Sequence, residues 1–238
     1  MSVGNLSNLD SQIQLPGGVH PEAAMSADLI LDLYSRYDVI RKNYNSAIRE
    51  VKTKLEVLNE DFELLHKHNP IHSMSSRVKT ADSIIEKCIR MGYELEDDKF
   101  LESMKDIAGI RVICHYVEDI YTVARLLKSQ PDIVTELEKD YIKTPKPNGY
   151  RSLHLVVRVP VFFVDGTQEL PVEVQIRTMA MDFWASLEHK LRYKSNGTIP
   201  AFIARELKEC AETISETDLK MQRIHSFLDR VEEDLTRR

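Results

Sequence analysis

Glycine is scarce in this chain, at 8 of 238 residues. Neither GxGxxG nor the P-loop pattern GxxxxGKS/T occurs, which removes those two routes to nucleotide binding. Cysteine is scarcer still: Cys88, Cys114 and Cys210 lie far apart. They offer no CxxC pair, no zinc spacing and no even disulfide set, the usage of a reducing, cytoplasmic compartment. No apolar run approaches the ~20 residues of a membrane-spanning helix, and the N-terminus lacks a basic-then-apolar signal, so no membrane partner is expected. Excess positive charge is missing too. A net charge of −6 excludes a general polyanion-binding surface, so any phosphate or nucleic-acid contact must come from a local basic cluster.

What is present suits a folded α+β domain. Hydrophobic residues make up 42% and charged residues 29%, enough to bury a core. Residues 1–24 are polar and punctuated by Gly and Pro, and read as a flexible leader. Residues 25–70 form an N-terminal helical segment, with Ile40, Tyr44, Ile48, Val51, Leu55, Leu58, Phe62 and Leu65 at spacings of four and three, ending near Asn69-Pro70. A second stripe (Ile203, Leu207, Cys210, Ile214, Thr217, Met221, Ile224, Leu228, Val231, Leu235) marks residues 196–238 as a C-terminal helix. Each stripe either packs on the chain's own sheet or forms a subunit interface. Between them, residues 71–195 read as the catalytic core. A strand over 107–116 precedes a helix over 118–129. Runs 153–164 and 168–177 flank the hairpin signal Asp165-Gly166, with Pro160 and Pro171 demoting parts of them towards an edge, and a helix spans 179–194. The order predicts a mixed sheet with helices packed on it.

The chemistry lies in polar residues that a bland domain would not need. Arg77 and Lys79 precede a helix in which Ser83, Lys87 and Arg90 share one face. This is either a solvated face or a triphosphate clamp, because Arg forks match phosphate oxygens and Lys adds point charge. Asp106 stands at the mouth of strand 107–116, in which Arg111 and His115 share a face. In Pro171–Thr178, Val172, Val174 and Ile176 face one way while Glu173, Gln175 and Arg177 face the other. Two carboxylates on neighbouring strands, Asp106 and Glu173, are what a Mg²⁺ site for phosphoryl transfer requires. The stretch from Tyr141 to His154 is a loop entering a strand, and it gathers Lys143, Lys146, Asn148, Tyr150, Arg151 and His154. An aromatic beside Asn and Lys suits stacking on a base while reading its edge. These residues alone allow either a Mg²⁺-dependent phosphoryl-transfer enzyme or a non-catalytic binder of nucleotides or single-stranded RNA. The carboxylate pair favours the enzyme, since a pure polyanion binder gains nothing from it.

Lys146-Pro-Asn-Gly-Tyr-Arg-Ser-Leu-His154, Asp106-Ile-Ala-Gly-Ile-Arg111 and Glu173-Val-Gln-Ile-Arg-Thr178 together resemble the synthetase domain of the RelA/SpoT family. Order and spacing agree from Arg77 to His189, over roughly residues 40 to 195, and nothing resembles the family's HDxxED hydrolase motif. No room remains for its long C-terminal regulatory region, so the chain is similar to the stand-alone small alarmone synthetases. The resemblance implies a nucleotidyltransferase-like fold and transfer of the β,γ-pyrophosphate of ATP to the 3′-OH of GTP or GDP, giving (p)ppGpp and AMP. It also implies a homotetramer. A toxin-like relative acting on adenine nucleotides or RNA ends is the variant reading.

Carried over by residue, Arg77 and Arg111 would sandwich the adenine. Lys79, Ser83, Lys87, Arg90, Lys139 and His154 would lie along ATP. Asp106 and Glu173 would hold Mg²⁺, with Glu173 also activating the 3′-OH and Gln175 supporting it. Tyr150 would stack on guanine, with Lys143, Lys146, Asn148, Arg151, Asp182, Ala185 and His189 on the acceptor side. Position 182 is Asp here, where related small synthetases carry Asn. Some relatives bind product between subunits through basic side chains of an N-terminal helix. The corresponding face here is Lys52, Glu56 and Asn59, and its single positive charge makes tight product binding unexpected there.

Overall fold

The computed structural model describes residues 27–66, 68–92, 101, 103–195 and 199–236; the expected leader at 1–24 lies outside them. The elements run α1 (Ala27–His66), β1 (Ile71–Val78), α2 (Ala81–Met91), β2 (Ala108–Cys114), α3 (Val117–Lys128), β3 (Val134–Asp140), β4 (Leu153–Phe163), β5 (Gly166–Thr178), α4 (Met179–Lys194) and α5 (Ala201–Thr236). The strands make one sheet of five in the order β1-β2-β5-β4-β3. Only β2 and β5 run parallel; the other neighbours are antiparallel. The mixed sheet flanked by long terminal helices is the expected α+β fold.

The sheet's inner face and α1 form the core. Ile110, Val112, Leu155, Val157, Val172, Val174 and Ile176 are at most 1% exposed and pack with Tyr44, Ile48, Val51 and Leu55 of α1. Each such side chain contributes roughly 1.5–3 kcal/mol when fully buried. The N-terminal stripe thus packs on the chain's own sheet, but only as far as Leu55; Leu65 is exposed. Along the same helix Lys52 pairs with Glu56 at 3.3 Å, and Asn59 accepts the backbone N–H of Ile71.

Two expectations need correction. The sequence reading finds neither β1 nor β3. Both are edge strands, paired on one side only and largely exposed, so IHSMSSRV and VTELEKD carry no apolar alternation to betray them. The C-terminal stripe, in turn, is covered only in its first half, where Leu207 and Ile214 pack with Trp184 and Ala211. Met221, Ile224, Leu228 and Leu235 stay exposed, whereas Ala211, Asp218 and Gln222 are buried. Two of these contacts are polar: Thr178 Oγ1 donates to Asp218, and Gln222 accepts the N–H of Glu118.

Pro160 and Pro171 sit where they were expected. β3 accompanies β4 only as far as Arg158, and β2 pairs with β5 only from Val172 onward. The β4–β5 hairpin therefore projects beyond its neighbours, and both prolines fall in that unflanked arm, where a missing N–H disrupts no further ladder.

Candidate active site

The side chains of β5 that turn away from the core define the site. Register places Arg77, Gly109, Glu173 and Val156 in one row across the sheet, and Ser75, Arg111, Gln175, His154 and Lys139 in the next. Between these rows lies an open cleft of about 300 Å³, lined by Ser75, Ser76, Arg77, Lys79, Asp106, Gly109, Arg111, Glu173 and Gln175. Gly109 leaves the floor between Arg77 and Glu173 bare. A Cβ there would meet nothing nearer than the Arg77 carbonyl at 3.9 Å, so the gap belongs to the cleft and not to packing.

One end of the cleft is an ion cluster. Asp106 accepts from Lys79 at 2.7 Å and from Lys87 at 2.6 Å. Lys79 directly follows the edge strand β1, and Lys87 lies on α2, which Thr80 caps by accepting the N–H of Ser83. Burial pushes the Asp106 carboxyl upward, but the hydrogen bonds and charges of the two ammonium groups outweigh it and hold it below its ordinary range. Ser83 accepts from Thr80 Oγ1 at the cap and Arg90 is exposed at the far end of α2, so neither reaches the cleft lining.

The other end is a ring of hydrogen bonds around Glu173. Gln175 Nε2 donates to one carboxylate oxygen at 2.8 Å, and His154 Nδ1 lies 3.3 Å from the other. Burial raises the Glu173 pKa, yet the His154 and Gln175 contacts prevail and leave it lowered. His154 Nε2 faces the Tyr150 hydroxyl at 2.8 Å. Arg177, 2% exposed, donates to Tyr150 at 2.9 Å, to Gln175 Oε1 at 2.7 Å and to Asp182 at 3.3 Å. Asp182 also pairs with Arg111 at 3.4 Å. Lys146 stands over the rings of Tyr141 and Tyr150 at 4.7 and 5.0 Å, a cation–π arrangement.

The motif loop is braced from behind by α5. Gly149 has φ +92, and a Cβ on it would fall 2.6 Å from the Cβ of Ala211. Arg151 donates to the carbonyls of Gly149 and Ala211, and Trp184 Nε1 donates to the carbonyl of Leu207.

This geometry corrects several assignments. Arg151 is a strut between loop and helix. Ala185 is buried with Trp184 and Ala211 beneath Tyr150. Lys143 turns to Asp140 and the Tyr121 ring. His115, which shares a face with Arg111 in the sequence and carries no assigned role, lies in a cluster with His68, His72 and Tyr116. His154 has both ring nitrogens engaged within the protein, so a phosphate contact requires giving one up. Asn148 donates to Glu188 and accepts from the Tyr150 N–H, shaping the loop. Lys139 and His189 lie exposed at the rim, on β3 and α4. Sequence reasoning assigned no role to Arg177, Tyr141, Glu188 or Ser75. The period-2 alternation already put Arg177 on the site face, but nothing in it signals burial.

Asp106 and Glu173 are two ionised, hard-oxygen groups on one cleft. They fit a divalent cation that takes its remaining ligands from water and phosphate. Among the described residues no cluster of three or more His, Cys, Asp or Glu side chains suits a metal, so a self-sufficient protein cage is not what the site offers.

Residues 76–198 match the family described as a region found in RelA / SpoT proteins. GTP pyrophosphokinase YwaC of Bacillus subtilis (strain 168) is 45% identical over 186 residues, 78% of this chain and 89% of that protein. Small alarmone synthetase 1 of B. subtilis, in a crystal structure with its product pppGpp, is 38% identical with a TM-score of 0.74, covering 80% of this chain and 97% of the other. Small alarmone synthetase 2 of B. subtilis is 42% identical with a TM-score of 0.73, covering 80% and 98%.

Proposed function

The chain belongs to the RelA/SpoT family, and we propose that it acts as a small alarmone synthetase, a GTP pyrophosphokinase that makes (p)ppGpp and AMP from ATP and GTP or GDP. The observation that carries this reading is the placement of Asp106 and Glu173 on one cleft, between a lysine cluster and an aromatic loop. The acceptor's 3′-oxygen attacks the β-phosphorus of ATP. An O–P bond forms, the bond from the β-phosphorus to the α,β-bridging oxygen breaks, and that oxygen departs with AMP. Glu173, kept ionised by its donors, takes the 3′-OH proton. Arg77 and Arg111 flank the adenine from adjacent strands, while Lys79 and Lys87 exchange Asp106 for phosphate oxygens and Arg90 extends the same face. Tyr150 offers its ring to guanine, beside Lys146 and Asp182, with His189 on the same helix. Asp106 and Glu173 would hold Mg²⁺, which neutralises charge on the transferred group.

Incubation with ATP, Mg²⁺ and each of GTP, GDP and GMP, with products resolved by chromatography, tests the reading. A pyrophosphorylated guanine nucleotide is expected, and none without Mg²⁺. Transfer to adenine nucleotides or RNA ends would instead mark the toxin-like variant, and binding of single-stranded RNA without transfer would mark a non-catalytic binder.

Base choice rests on Asp182. A carboxylate accepts both N1–H and N2–H₂ of guanine, an arrangement adenine cannot match. Its charge has a second use here, as the counter-ion of buried Arg177. Asp182→Ala is expected to lower the GTP-over-ATP acceptor ratio roughly tenfold, the scale of a hydrogen bond to a charged group. An unchanged ratio in competition assays refutes the assignment.

We assign residues 71–195 as the catalytic core and the flanking helical segments as its supports, in a cytoplasmic enzyme. The exposed apolar side chains of α4 and α5, including Phe183, Leu191, Ile224, Phe227 and Leu228, support burial between copies of the chain, as a homotetramer. Sedimentation as a monomer at micromolar concentration would exclude this.

A further inference from the structure

Arg177 is the most deeply buried charge at the cleft, and none of the assigned roles falls on it. On the reading of this site as a pyrophosphokinase centre, we propose that Arg177 is the positioning residue for Glu173. Its guanidinium sets the direction of two hydrogen-bond arms that converge on the two oxygens of the Glu173 carboxylate.

The direction follows from one chemical fact: a guanidinium donates and never accepts. In the first arm Arg177 Nη2 donates to the Tyr150 oxygen at 2.9 Å. The Tyr150 proton then has His154 Nε2 at 2.8 Å as its acceptor. That places the proton of the neutral imidazole on Nδ1, which faces Glu173 Oε1 at 3.3 Å. In the second arm Arg177 Nη2 donates to Gln175 Oε1 at 2.7 Å. This turns the Gln175 amide so that Nε2 donates to Glu173 Oε2 at 2.8 Å. Reversing the Gln175 amide would set its NH₂ group against the guanidinium, and a proton on His154 Nε2 would take from the Tyr150 hydroxyl its 2.8 Å acceptor. Chains of uniform direction polarise one another, so each bond strengthens the next.

Three further observations agree. Burial raises the Tyr150 phenol above its ordinary pKa in spite of the Arg177 charge, so the proton that the first arm needs is present. Arg177 Nε is buried without a hydrogen-bond partner, a penalty that a hydrocarbon of the same volume would not carry; the guanidinium is there for its other donors. Asp182 supplies its counter-charge from α4 at 3.3 Å. The Tyr150 ring that would stack on the acceptor base thus carries, through its hydroxyl, one of the two arms holding the group that takes the 3′ proton. Seating the base and aiming the carboxylate become one structural event.

The tautomer is read directly by ¹⁵N NMR of protein labelled at histidine, with His154 assigned by its absence from the His154→Asn spectrum. A protonated Nδ1 and an unprotonated, hydrogen-bonded Nε2 are expected; a protonated Nε2 in the neutral ring overturns the proposal whatever the enzyme's activity. Replacing Arg177 risks the fold, so the kinetic test is Tyr150→Phe, which keeps the ring and removes only the hydroxyl. Its acceptor KM is expected to stay within about twofold while kcat falls roughly tenfold, the scale of losing a group that orients a catalytic ligand. An unchanged kcat, or a loss confined to acceptor KM, refutes the inference. Absence of guanine-nucleotide product from the unmodified enzyme would refute the functional reading instead, and the NMR result stands apart from it.

Discussion

Glu173→Gln is expected to lower turnover roughly a thousandfold, on the scale of other contacts made to developing charge, while the protein stays folded. The substitution keeps the shape of the side chain but removes the charge that, on the proposed mechanism, accepts the 3′ proton. It also disturbs the local hydrogen bonding. Gln175 and His154 both present donors to Glu173, and an amide meets them with one acceptor and one donor. A mismatch of that kind is worth about 1–3 kcal/mol of stability, too little to unfold a domain with this core. Single-turnover assays beside thermal melts separate the two effects. Turnover near that of the unmodified enzyme would remove Glu173 from the chemistry.

Asp106→Asn is expected to separate binding from chemistry. Asp106 neutralises Lys79 and Lys87 together. On the proposed roles, ATP would gain its lysine contacts by displacing this carboxylate, an exchange of partners and not a simple addition. Removing the carboxylate frees both ammonium groups for phosphate oxygens, so the KM for ATP should not rise. The same change halves the anionic charge available to a divalent cation, and kcat should fall on the order of a hundredfold or more. A fall in kcat without a rise in KM is the pattern of an interaction used in the transition state. A raised KM for ATP with kcat intact would show that Asp106 only organises the lysines.

The parts legible in the sequence share a physical signature. The hairpin around Asp165-Gly166, helix α4 and strand β2 announce themselves because their side chains alternate between core and cleft, or repeat at helical spacing, over whole elements. Asp106, Lys79, Lys87 and Glu173 stand out in the sequence because their charges lie where solvation alone explains little, and the fold brings them to one cleft. Edge strands β1 and β3 do not stand out, since pairing through the backbone on one side leaves no demand on the side chains. Arg151 sits inside the motif loop and Ala185 on the helix face of Asp182 and His189, so both read as ligand contacts; in the fold they join the loop to α5. Only the tertiary fold shows which motif residues face the nucleotide and which face their own scaffold. Arg177 illustrates the same limit in the opposite direction, a charge that reads as surface and lies almost fully buried.

The brace behind the motif loop has a consequence for when the enzyme can first work. Arg151 reaches the Ala211 carbonyl across 60 residues of chain. A ribosome adds ~5–20 residues per second, so this support follows the loop by roughly 3 to 12 s. During that interval β5 with Glu173 is added, but Gly149 and Arg151 still have no Ala211 behind them. A translation product truncated before α5 is therefore expected to lack the Ala211 support of the motif loop and to gain activity only once that helix is present.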